Sequence, residues 1–170
     1  MRPIRTLLIA TTALALVTVG AAGVAAQTSS TEPASFVGWV LDETHVDSGT
    51  SEDLGDVLER RQLAYSYEFE SADPRMIGSA LWTANGDRYR AEPLFELQTS
   101  DWVITNDAGT WVGTGTGLRG TGVGDSTTML LEGTGAYEGM SAYLVVEWAL
   151  GGGFFRGAIF PGAIPDVPAR

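Results

Sequence analysis

Few side chains in this sequence have both the type and the spacing that chemistry requires. Glu147 is the most suggestive. It stands between Val146 and Trp148 and shares a period-two face with Ser141, Tyr143 and Val145. Turned into a core, its carboxyl would lose water and hold its proton more tightly, as a general acid must. Arg156 on the next extended segment could neutralise it, and a structural ion pair is the plainer reading of the two. Glu147 and Arg156 are therefore the catalytic candidates. Glu68 and Glu70 also share a strand face, about 6–7 Å apart, a spacing at which two carboxyls can divide acid and base roles. They alternate with Tyr67 and Phe69, however, so water is their expected environment.

Other chemistries fail on their own requirements. His45 is the only histidine, set in the acidic stretch Asp42–Asp47. Zinc sites gather three or four ligands, commonly several His or Cys. Asp47, Glu52, Asp53 and Asp56 lack the spacing and sixth-position glycine of a calcium-binding EF-hand loop. No metal site and no cofactor is expected. Gly115–Gly120 spells GxGxxG, but a dinucleotide fingerprint opens a helix, and here more glycines and another strand follow. Without lysine there is no phosphate-binding P-loop, and without a G-x-S-x-G elbow no hydrolase nucleophile is marked. The absence of cysteine removes disulfides and thiol chemistry.

The elements that would position such groups read as strands. Leu63, Tyr65, Tyr67 and Phe69 alternate with Ala64, Ser66, Glu68 and Glu70, which buries one face of Gln62–Ser71. Further extended segments are expected at Ala34–Asp42, Met76–Ala84, Arg88–Gln98, Trp102–Thr105, Thr110–Leu118, Thr127–Glu132, Met140–Leu150 and Phe154–Phe160. Asn85-Gly86 and Asn106–Gly109 look like hairpin turns, and Pro93 pushes its segment toward an edge, a bulge or a break. Leu54, Val57, Leu58 and Arg61 have helical spacing, which predicts a turn or two of helix there. Trp111, Gly113, Gly115 and Gly117 share one face, and glycines in such a face leave room for a large neighbour. Eight or nine strands on short turns predict an all-β fold: an antiparallel eight-stranded, or nine-stranded, β-barrel, with a β-sandwich as the alternative.

The segment Gly133-Thr134-Gly135-Ala136-Tyr137-Glu138-Gly139-Met140-Ser141-Ala142-Tyr143 resembles the glycine-rich hairpin of allene oxide cyclases and of dirigent proteins. Asp73-Pro74-Arg75 and the later tryptophans add a likeness to uncharacterised secreted bacterial proteins of that barrel pattern. The resemblance implies an eight-stranded barrel able to hold a small apolar ligand. It carries over no catalytic residue, because the families' polar residues lie on earlier strands that do not match here position by position. Within the motif the expected role is structural: Gly133, Gly135 and Gly139 shape the turn, and Tyr137 plugs it. Tyr143, Trp148 and Trp111 are the candidates to line a ligand cavity.

The ends and the charge set the context. Arg2 and Arg5, an apolar run from Leu7 to Val19 and the small residues Gly20–Ala26 form a secretory signal pattern, with cleavage expected after Ala26. An uncleaved anchor is the alternative. Residues 27–33 read as a flexible lead-in, 34–160 as the barrel domain and 161–170 as an irregular tail. A secreted or otherwise extracytoplasmic location follows, without stable membrane insertion once the signal is gone. The chain carries 21 carboxylates against 10 cations, all arginine, for a net charge of −11. Such a surface disfavours nucleic acid and anionic lipid. Three functions fit: a non-enzymatic barrel that binds a small apolar molecule or serves the cell envelope, a cyclase or isomerase of the allene oxide cyclase or dirigent type, or an acidic surface for a basic partner.

Overall fold

The computed structural model describes residues 31–122, 124–149 and 152–164. The signal pattern and the end of the tail lie outside the described residues. Nine strands follow in order: β1 (Ala34–Asp47), β2 (Thr50–Asp53), β3 (Val57–Ser71), β4 (Gly78–Tyr89), β5 (Phe95–Thr105), β6 (Gly109–Gly120), β7 (Gly124–Gly135), β8 (Met140–Ala149) and β9 (Gly152–Pro161). One turn of 3-10 helix, Pro74–Met76, precedes β4. Every pairing is antiparallel. β3 to β9 pair in sequence order, and β1 closes the ring by pairing with both β3 and β9. β2 lies outside the ring against β3. The architecture is an eight-stranded barrel with one added strand, which resolves the choice between barrel and sandwich.

Closure leaves no open edge among the eight staves and one enclosed interior. Its inward faces carry Phe36 and Val40 from β1, Tyr67 and Phe69 from β3, Trp82 from β4, Trp102 and Ile104 from β5, Met129 and Leu131 from β7, Leu144 and Val146 from β8, and Phe155 and Ile159 from β9. Such side chains fill a small barrel rather than leave a pore. The glycine face of β6 points inward, as a large neighbour requires. A Cβ on Gly115 would sit 3.0 Å from the indole nitrogen of Trp102, so the missing side chain is what admits that ring.

Three local expectations give way to strand pairing. Leu54–Arg61 is not helical: β3 begins at Val57 and its first residues pair with β2 and β4. Ladder hydrogen bonds on two sides outweigh a short helical spacing. The first extended segment likewise does not stop at Asp42: β1 runs on to Asp47, and β2 follows. Asn85-Gly86 makes no turn and lies inside β4. Its work there is different: Gln62, in the left-handed region at φ 59°, marks an irregularity in β3, and its amide donates to Asn85 Oδ1 at 3.1 Å. The chain reverses instead at 90–94, around Pro93.

Candidate functional site

The two ends of the barrel are built differently. At one end the hairpin between β7 and β8 folds under the interior. Gly135 and Gly139 there take φ of 65° and 79°, values only glycine adopts easily. A Cβ on Gly133 would lie 2.3 Å from the Tyr137 carbonyl oxygen. Tyr137 turns inward, is 1% exposed and stacks on Trp111 with centroids 4.9 Å apart at 11°. Its hydroxyl donates to Asn106 Oδ1 at 2.8 Å, and Trp111 Nε1 donates to the Arg75 carbonyl at 2.9 Å. Asp73 holds the Arg75 guanidinium at 2.6 Å. That hydrogen bond keeps the Asp73 carboxyl below the usual carboxylate range, against burial. Met76 packs above this layer, wholly buried.

The opposite end is a mouth. A cavity of about 120 Å³ opens there, lined by aromatic rings below and charged groups above. Trp102, wholly buried, separates it from the core. Tyr67 and Trp148 stack near Trp102, with centroids 6.1 Å and 6.4 Å away, and Trp82 lies 6.2 Å away. Tyr65 continues the wall 5.8 Å from Trp82. Trp148 is fixed by donating its indole hydrogen to Thr127 Oγ1 at 2.9 Å.

Glu96 organises the charged layer. It is 1% exposed, yet it accepts from Arg60, from Arg88 Nε at 2.9 Å and from Gln98 Nε2 at 2.9 Å. Burial pushes its carboxyl up, but the hydrogen bonds from Arg60 and Gln98, the Arg60 charge and Arg88 outweigh burial and hold it below the usual range. A buried carboxylate survives only with such partners. Gly86 is part of this arrangement, since a Cβ there would lie 2.5 Å from Glu96 Oε1. Across the mouth Asp125 pairs with Arg119 at 3.1 Å. Burial raises the Asp125 carboxyl; Arg119 opposes this, and the charges of Glu96 and Glu43 add to it. Burial also drives the Tyr67 hydroxyl well above the ordinary phenol range, so it remains a protonated donor. Among the described residues no group hydrogen-bonds the hydroxyls of Tyr65 and Tyr67, and Arg60 Nε is buried without a partner.

The expected site residues are dispersed. Glu147 and Arg156 form an ion pair at 2.6 Å on the outer wall, with side chains 55% and 56% exposed. The face they share with Tyr143 looks outward, so the desolvation that would have made Glu147 an acid does not occur. Tyr143 is 41% exposed on that wall, away from the mouth cavity. Trp111 belongs to the sealed end. Of the three cavity candidates only Trp148 lines the mouth. Glu68 and Glu70 are exposed, and Glu68 accepts from Ser79. His45 packs edge-on to Tyr65 and contacts Ser48, and among the described residues no group of three or more His, Asp or Glu is placed to hold a metal ion.

Sequence reading missed Arg60, Arg88, Glu96, Gln98, Arg119 and Asp125. One signal was present: Glu96, Gln98 and Ser100 have the parity of Trp102 and Ile104, and therefore point inward. Comparison with family models, with curated proteins and with solved structures gives no match.

Proposed function

We propose that the chain is an exported binding protein that carries one small molecule with an aromatic body in the mouth of its barrel. One observation carries this reading: buried side chains fill the interior from Trp102 to Tyr137, while the other end keeps a cavity walled by Tyr65, Tyr67, Trp82 and Trp148. Efficient folding alone would favour filling that space, because each void costs contacts. Flat rings recruit a flat ligand by stacking. A dry cavity of roughly 150 Å³ is known to admit benzene, so a single ring is the right size. The ligand has polar edges as well, to meet the charged rim. Export rests on the signal pattern of residues 1–26.

A cyclase or isomerase of the kind the hairpin resembles would have to act through groups of the mouth such as Tyr67, Asp125 and Glu43, and not through the outward-facing Glu147. Titration of single-ring aromatics against tryptophan fluorescence tests the binding reading. Saturable quenching that disappears in Leu63→Phe, a substitution that fills the cavity, is the expected result. Quenching that is linear in ligand, or equal in both proteins, overturns it.

A further inference from the structure

We infer that the mouth is built for an uncharged heteroaromatic ring with carbonyl acceptors on one edge and N–H donors on another, the chemistry of a pyrimidinone such as uracil. The inference rests on the binding reading above and adds the ligand's chemical class. Three features select it.

The first is charge. The mouth gathers Glu43, Glu96 and Asp125 together with Arg60, Arg88 and Arg119. Three carboxylates meet three guanidiniums, in a protein whose net charge is −11. A cationic ring would meet the arginines and an anionic one the carboxylates. An uncharged ring meets neither penalty.

The second is the set of unanswered donors. The Tyr65 and Tyr67 side chains line the cavity, and among the described residues their hydroxyls have no hydrogen-bond partner. A hydroxyl without a protein partner is left to donate to whatever occupies the cavity. Ring carbonyls are acceptors. A hydrocarbon ring would leave both hydroxyls unanswered.

The third lies across the cavity. Glu43 and Asp125 present carboxylate oxygens on the lining, and each can accept from a ring N–H. Asp125 already shares its charge with Arg119, so it can receive a neutral donor without importing a cation. The aromatic walls supply stacking, which tolerates any flat ring and leaves discrimination to the edges.

The test is calorimetric titration of the whole exported chain with four probes at neutral pH: uracil, benzene, benzoate and benzylamine. Uridine joins them to separate a free base from a nucleoside, whose sugar would have to project through the mouth. Uracil or uridine is expected to bind at least about tenfold more tightly than the other three, the factor that about 1.4 kcal/mol supplies. Tyr67→Phe should weaken that binding by about fivefold, the loss of one hydrogen bond, and Asp125→Ala, which removes the acceptor, by a similar factor; both should leave benzene unchanged. Benzene, benzoate or benzylamine binding as tightly as uracil, or Tyr67→Phe without effect on uracil, overturns the ligand class while the container survives. Failure of every ring to bind overturns the container as well. An unchanged melting temperature in Tyr67→Phe confirms that the hydroxyl, and not the fold, is being read.

Discussion

The sealed end and the open mouth use the same ingredients to opposite effect. Both place aromatic rings and paired charges inside one barrel. At the sealed end the polar tips are answered: Tyr137 on Asn106, Trp111 on the Arg75 carbonyl, Arg75 on Asp73. At the mouth the charges are answered, Glu96 by two arginines and Asp125 by Arg119, but the Tyr65 and Tyr67 hydroxyls have no partner among the described residues. Satisfied polar groups rigidify, and unsatisfied ones around a void define what the void will accept. On the proposed reading, the difference gives stability to one end and recognition to the other.

Substitutions can break that comparison, and the largest effect belongs to the sealed end. Trp111→Ala or Tyr137→Ala removes a fully buried ring, so urea unfolding should show a loss of about 3–5 kcal/mol. A loss below about 1 kcal/mol would mean that the plug is ornamental. Glu96→Ala comes next. It strands two arginines, although their partly solvated heads moderate the penalty, and about 2–3 kcal/mol should be lost. Gly86→Ala should cost about 1–3 kcal/mol by pressing on the same carboxylate. The smallest effect is on the outer wall, where Glu147→Gln should change stability by less than about 0.5 kcal/mol because its ion pair is exposed.

Acid sharpens the comparison. The folded Glu96 carboxyl lies below its unfolded value, so the stability it contributes is present above the unfolded value and is lost as pH falls through the folded one. Asp73 at the sealed end behaves alike. Asp125 has the opposite sign: its raised carboxyl makes ionisation unfavourable to the fold, and acid relieves it. The stability gap between wild type and Glu96→Gln should therefore close as pH drops from about 5 toward 2. A gap constant across that range would show that Glu96 is not held ionised by its arginines.

Much of the barrel was legible because strand pairing leaves a period-two record. The Tyr65–Tyr67–Phe69 face, the glycine face of β6 and the Gly133–Gly139 hairpin all point where their patterns indicate. The mouth was not legible, for two physical reasons. Its groups come from seven strands, so no local spacing joins Glu43, Arg60, Arg88, Glu96, Arg119, Asp125 and Trp148. And facing is decided by register: Glu147 and Trp148 are neighbours, and the ladder alone determines that the indole goes in and the carboxylate out. A turn dipeptide such as Asn85-Gly86 was misleading because the same residues also answer a distorted strand and make room for a buried carboxylate.

The five indole N–H resonances of the folded protein offer the most direct measurement, since Trp39 lies outside, Trp111 at the sealed end, Trp102 beneath the cavity, and Trp82 and Trp148 on its wall. On titration with uracil or benzyl alcohol, the signals of Trp82 and Trp148 should shift together and saturate, while those of Trp39 and Trp111 stay in place. Shifts at Trp111 or Trp39 with Trp148 unmoved would contradict the assignment of recognition to the open mouth.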